Sequence, residues 1–220
     1  MSRIDAFIKS DGMPTIPPKD FYIGWDVGQN PDYSTLTVLE RHGQVYLVKH
    51  LERRPRDEPY PKQVEHLFGM WFRKPLREAN KLLAIDYTGV GRPVYDFVLD
   101  RGIGPVVGIS ITGGDSVTWL DDRKRARVPK RDLVSLLQVF AQNNRLKVAQ
   151  NLKYGPVLAQ ELQSFKVKID SRTAHDSYGS WREGEHDDLI LSLACGLWAA
   201  ENYNVKPFIF RGIRHGGRGW

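Results

Sequence analysis

Three acidic sites stand where carboxylates are expensive. Asp26 interrupts the apolar run FYIGWDVG (21–28), between Trp25 and Val27. Asp86 falls near the end of another run, LLAIDY (82–87). Asp187 and Asp188 open a segment that is apolar almost all round, in GEHDDLILSLACGLWAA (184–200). An acid in such surroundings is costly unless it is paired, protonated or bound to a cation. Ligands of open α/β sheets gather at the carboxyl ends of strands, so neighbouring strands could bring Asp26 and Asp86 together. Grouped carboxylates repel one another at neutral pH, and Mg²⁺ or Mn²⁺ relieves that repulsion with hard oxygen ligation. Two such ions about 3.5–4 Å apart clamp the attacking and leaving oxygens of an in-line phosphoryl displacement. That is nuclease chemistry.

Each acid also has a purely structural use. Asp26 can bond to loop amides in DVGQN, and Asp86 can make an Asx-type contact ahead of TGVG. One of Asp187 and Asp188 can cap the helix and complement its dipole. Capping accounts for only one of the pair, because successive side chains on a helix diverge by about 100°. The coincidence of three such sites favours ligation.

The elements that must position these acids can be read from periodicity. FYIGWDVG is strand-like. STLTVLER (34–41) and QVYLVKH (44–50) follow, joined at His42-Gly43 as a hairpin. After the polar loop ERRPRDEPYP (52–61), Val64, Leu67, Phe68 and Trp71 mark a helix that Pro75 ends or kinks. LLAIDY reads as a buried central strand, and Val94, Phe97 and Val98 as a helix with Gly102 at its C-terminal cap. PVVGISI (105–111) is a further strand, and the basic stretch DSVTWLDDRKRARVPK (115–130) reads as a loop. Leu133, Leu136, Leu137 and Phe140 share one helical face, and a shorter helix is expected from about Gly155 to Ser164. Residues 165–183 alternate as a hairpin ahead of the last long helix. This order predicts an α/β fold with a mixed sheet.

The whole chain sets the outer bounds. Its 220 residues with 41% apolar content suffice for a sizeable core. A net charge of +6 favours an anionic partner such as nucleic acid. The single cysteine, Cys195, excludes an internal disulfide framework and a Cys-based zinc site, and fits a reducing compartment. No apolar run of about 18 residues and no apolar signal region is present, which points to a soluble intracellular protein. Residues 1–20 read as a proline-rich linker or leader, residues 21–204 as the folded domain, and residues 205–220 as a basic, Gly-rich flexible tail.

The segments GWDVGQNPDYSTLTVLE, AIDYTGVGRPV, ISITGG, VPKRDLVSLLQ with NRLKVA, and SYGSWREGEHDDLILSLA together carry a resemblance. From about Phe21 to Tyr203 the chain resembles the nuclease domain of phage large terminase subunits, in the ribonuclease H-like superfamily. HDDL after a hairpin, leading into a helix of small residues, is the most specific block. The resemblance implies a ribonuclease H-like fold: a central mixed sheet, an antiparallel meander plus parallel strands, flanked by helices, with an extra β-hairpin before the last helix. It implies a metal-dependent endonuclease using two Mg²⁺ or Mn²⁺ ions to cut concatemeric viral DNA during genome packaging. Asp26 matches the first-strand acid that bridges both metals, Asp86 the acid on the fourth strand, and Asp188 the final-helix acid, with Asp187 as neighbour or alternate ligand. His186 is expected to be a hydrogen-bonded turn residue rather than a ligand. The implied partners are double-stranded DNA, a terminase ATPase domain, the small terminase subunit and the portal, with no membrane, in the cytoplasm of the infected bacterial host. Complete large terminases carry a Walker A motor, and no GxxxxGK[ST] occurs here. A nuclease domain cut from a longer protein, a split gene or a stand-alone nuclease is therefore expected.

Basic residues cluster at Arg53, Arg54 and Arg56, at Arg211, Arg214 and Arg218, and most densely at Arg123, Lys124, Arg125, Arg127, Lys130 and Arg131. The last cluster is the expected DNA track, with Lys130 and Arg131 near the backbone by the family analogy. No segment resembles a base-reading helix, so little sequence specificity is expected. Three other readings stay open. A RuvC-like junction resolvase or other recombination nuclease would share the fold. An actin-like kinase also opens on strand-DxG, but usually needs a duplicated domain. A non-catalytic DNA-binding or portal-docking module would keep the fold without the chemistry.

Overall fold

The computed structural model describes residues 18–170 and 188–203. The run FYIGWD forms the heart of β1 (Asp20–Asp26), whose alternate side chains serve two different cores. The predicted hairpin supplies β2 (Thr35–His42) and β3 (Val45–Arg53). Both are antiparallel neighbours in sequence order, β1 to β2 and β2 to β3. Helix α1 (Tyr60–Trp71) stops ahead of Pro75, which opens a short 3-10 turn over Leu76–Glu78. Next come β4 (Asn80–Asp86), α2 (Gly91–Asp100) and β5 (Val106–Thr112). The remaining elements are β6 (Thr118–Leu120), β7 (Arg125–Pro129), α3 (Lys130–Gln142), β8 (Leu146–Val148), α4 (Gly155–Asp170) and α5 (Asp188–Asn202).

All eight strands join one mixed sheet in the order β6-β7-β5-β4-β1-β2-β3-β8. β1, β4, β5 and β7 run parallel, so their carboxyl ends lie along one edge. Because side chains alternate along a strand, Phe21, Ile23, Trp25, Leu83 and Ile85 pack with α1 and α2 on one face. Tyr22, Leu39, Leu82 and Ala84 pack with α3, α4 and α5 on the other. Helix α5 is buried along nearly its whole length, which explains why it is apolar all round.

Two expectations are corrected. The stretch expected as a loop at 115–130 contains β6 and β7, paired antiparallel, with β7 also parallel to β5. Its Arg-rich composition masks a period of two: Ala126 and Val128 are fully buried, while Arg125 and Arg127 face the other way. The short helix from Gly155 continues to Asp170, taking in the first residues expected to form the hairpin. Extending an existing helix fixes one residue per hydrogen bond gained, whereas opening a new element requires fresh nucleation. The rest of that hairpin, 171–183, lies outside the described residues, as do residues 1–17, 184–187 and 204–220. β8 joins the far edge beside β3, a strand for which NRLKVA gave too short a pattern.

Candidate active site

Asp26 is the last residue of β1 and Asp86 the last of β4. The strands are parallel neighbours in register, Trp25 opposite Ile85, so the two acids end adjacent strands side by side. Parity then fixes their direction. Asp26 falls in step with Tyr22 and Gly24, and Asp86 in step with Leu82 and Ala84, on the face that α5 covers. Asp188 is the first residue of α5. All three acids are buried, at 8%, 4% and 8% exposure.

The start of α5 is tied to that edge by the strand next to β1. Thr35 is the cross-strand partner of Asp26, and its hydroxyl donates to the Asp188 carbonyl at 2.7 Å. Two residues on, the hydroxyls of Thr37 and Ser192 meet at 2.7 Å. The helix lies directly on the β1 backbone, because a Cβ on Gly24 would collide with the Ser192 carbonyl. Cys195, two turns into α5, registers the acids from inside the core. Burial above all, and then the carboxylates of Asp86 and Asp26, push its thiol well above the usual range.

Each loop leaving an acid is closed locally. The Gly28 amide donates to the Ser34 hydroxyl at 3.1 Å, folding DVGQNPDYS back on itself. A side chain at Gly28 would strike the Tyr33 backbone, which is why the glycine of this strand-DxG signature is required. Asp86 does make the Asx-type contact, accepting from the Thr88 amide at 2.9 Å through Oδ1. That bond engages one of its two oxygens and orients the carboxylate.

The donor set is carboxylate oxygen, which suits a hard divalent cation such as Mg²⁺ or Mn²⁺. Among the described residues, no group of three or more His, Cys, Asp or Glu side chains is arranged to hold a metal ion as it stands. Asp187 and His186 lie outside the described residues.

The basic residues divide by position. Arg123 donates to the Asn202 carbonyl at 3.1 Å and stacks over Trp119 at 4.3 Å. It therefore caps the end of α5 remote from Asp188, about 21 Å away at 1.5 Å per residue. Lys124 is exposed just before β7. Arg125 pairs with Asp121 and donates to the Tyr87 hydroxyl at 3.0 Å. Arg127 is exposed and, by parity with Arg125, lies on the face away from α5. Arg131 is held by Asp115, through its carboxylate at 2.7 Å and its carbonyl at 2.5 Å. Lys130 opens α3 directly after the carboxyl end of β7, along the same edge as Asp86. The sequence cluster is thus one run but not one surface.

No protein-family model and no curated protein matches the sequence. Solved structures do match. The large terminase nuclease from the thermophilic phage G20c with bound zinc aligns over 87% of this chain and 88% of its own, at 19% identity and TM-score 0.54. The human cytomegalovirus terminase nuclease domain, soaked with Mn and inhibitor-bound, aligns over 84% of each chain at 11% identity, with TM-score 0.54. The G20c nuclease with bound magnesium aligns over 83% and 82% at 20% identity, with TM-score 0.51. The chain has the terminase-nuclease fold. Its mixed sheet with flanking helices is the ribonuclease H-like α/β architecture that the resemblance implies.

Within the terminase-nuclease fold, Ser34, Thr35 and Glu161 escaped the sequence reading, and Arg53, read as part of a basic loop, ends β3 instead. Thr35 and Thr37 alternate with Leu36 and Val38 on a buried strand, so hydroxyls on its α5 face were a usable signal. Glu161 falls three residues after the fully buried Leu158, placing an acid on the apolar face of α4. An acid at such a position needs a partner.

Proposed function

We propose that this chain is a metal-dependent DNA endonuclease that cuts concatemeric viral DNA during genome packaging. The observation that carries the reading is that Asp26 and Asp86 end adjacent parallel strands of a terminase-nuclease fold, on the face covered by α5, whose first residue is Asp188. Asp26, Asp86 and Asp188, with Asp187 as neighbour or alternate ligand, would hold Mg²⁺ or Mn²⁺, and a phosphate of the substrate would complete the ligation. A pair of such ions, when bound, supplies a water nucleophile at neutral pH and neutralises charge at the departing 3′ oxygen.

The chain's own residues set the conditions for that chemistry. Asp26, between β4 and β2 in the sheet, has Asp86 on one side and Thr35 on the other, and would be a ligand beside Asp86. Thr88 orients Asp86 through its amide, and Thr35 anchors the first turn that carries Asp188. Lys130, on the same edge, supplies positive charge for the DNA backbone, with Arg131 and the exposed Lys124 as outer contacts. Backbone contacts of this kind carry no sequence information, so cutting has little sequence preference.

Solved structures of this fold contain zinc, magnesium or manganese, which supports divalent-metal use here. Residues 21–204 form the nuclease domain on this reading, with 1–20 as a linker or leader and 205–220 as a basic tail. Double-stranded DNA is the substrate. A terminase ATPase domain, the small subunit and the portal are its working partners, in the cytoplasm of the infected host. Among the described residues no helix is long and apolar enough to cross a membrane.

Purified protein is expected to nick and then linearise supercoiled plasmid with Mn²⁺ or Mg²⁺, and EDTA is expected to stop it. Plasmid left intact across both metals, by protein that binds neither, would overturn the proposal.

A further inference from the structure

The first amides of a helix have no partner within it, and an N-cap side chain normally takes the amide of the second or third residue. In α5 the third residue is Ile190, and its amide donates to Glu161 Oε2 at 3.1 Å. That acceptor comes from α4, from across the core. Glu161 is itself buried, and its other oxygen, Oε1, accepts from Arg53 Nη2 at 2.6 Å. Arg53 ends β3, where it is the cross-strand partner of Thr35. Thr35 in turn pairs with Asp26 and holds the Asp188 carbonyl.

These contacts close a ring around the first turn of α5, running from Thr35 through Arg53 and Glu161 to Ile190 and back through Asp188. Both Glu161 oxygens face donors, so its place is to orient rather than to ligate. We propose that Glu161 and Arg53 are positioning residues that fix Asp188, so that the ligand geometry at the start of α5 is set from α4 and β3. The inference rests on the metal-nuclease reading of Asp188. It gives the third amide of α5 an acidic acceptor at the positive end of the helix, with Arg53 balancing the charge of that acid.

Mn²⁺ affinity of the full chain, measured from free Mn²⁺ by electron paramagnetic resonance, tests the proposal together with amide exchange at Ile190. Glu161→Ala is expected to accelerate Ile190 exchange and to weaken Mn²⁺ binding about tenfold, the low end for residues that orient a ligand. Arg53→Ala is expected to weaken binding in the same direction, and the double variant no further than Glu161→Ala alone, because the two act through one contact. Glu161→Gln keeps the volume and an acceptor for Ile190, so it preserves that amide's protection and gives a smaller loss of affinity. It carries the test if Glu161→Ala does not fold. Wild-type Mn²⁺ affinity in Glu161→Ala, with Ile190 exchange accelerated, would reduce Glu161 to a fold cap and overturn the proposal. Unchanged Ile190 exchange would overturn the contact itself. A wild-type chain that binds no Mn²⁺ would overturn the nuclease reading, and this role for Glu161 with it, whatever Ile190 does.

Discussion

The first turn of α5, which carries Asp188, lies on the sheet face of the strand-end acids Asp26 and Asp86, and is held there by Thr35 from β2 and Glu161 from α4. Where α5 ends, Arg123 lies on the Asn202 carbonyl, and Trp119, Trp198 and Tyr203 pack ring on ring. At the second end charge and dipole agree, since a cation complements a helix C-terminus, and stacked rings add apolar burial. At the first end the dipole favours one acid, but not three together. Clustered like charge costs stability, and polar contacts fix the turn that carries Asp188. One end of the helix maintains the structure, while the other carries the proposed site.

The sharpest way to break this contrast is to remove acids from the first end. Asp26→Ala and Asp86→Ala are each expected to lower metal-dependent plasmid cleavage about a thousandfold or more, on the scale of losing a principal charge-stabilising group. Their melting temperatures are expected to stay at or above the wild-type value, because repulsion is relieved. Wild-type cleavage in either variant would sink the two-metal reading. Next in size is the division of labour at the head of α5. Asp188→Asn is expected to cost about a hundredfold in cleavage, and Asp187→Asn clearly less, since Asp188 is the residue whose carbonyl Thr35 holds against the strand-end acids. The reverse order would make Asp187 the ligand.

Much of this site was legible because burial and charge conflict in the sequence itself. An Asp inside FYIGWDVG or at the end of LLAIDY has to be explained, and parity along the strands then points both acids the same way. The meander, both central parallel strands and the last helix follow from equally plain periodicity. What stayed hidden was hidden for physical reasons. β7 reads as a charged loop because its outward positions are arginines, whose long stems can cover a sheet face while the short Ala126 and Val128 do the packing. Glu161 could not be paired with Arg53 or Ile190, because those contacts join positions 108 and 29 residues apart. The basic run looked like one DNA track because proximity in sequence says nothing about which edge or face each cation reaches.

Arg123 probes the structural end of α5. Arg123→Ala is expected to cost about 1 kcal/mol through the lost stacking and helix-end contact, since the guanidinium is exposed. That corresponds to a fall of about 2–4 °C in melting temperature for a domain of this size. DNA affinity at moderate salt is expected to hold, because the residue serves the far end of the helix. A loss of binding without a loss of stability would return Arg123 to the DNA track.

The smallest expected effect separates edge from face within the same run. Lys130 follows β7 at the carboxyl edge shared with Asp86, whereas Arg127 lies on the sheet face away from α5. If DNA approaches along the edge that gathers the acids, Lys130 neutralises a phosphate near the cut and Arg127 does not. Each phosphate contact contributes close to one unit to the slope of log affinity against log salt. Lys130→Ala is therefore expected to lower that slope by about one and to weaken binding uniformly across sequences. Arg127→Ala is expected to change the slope less. Equal slopes for the two variants would mean that the duplex spans both faces of β7, and would move the substrate path away from the edge where Asp26 and Asp86 end their strands.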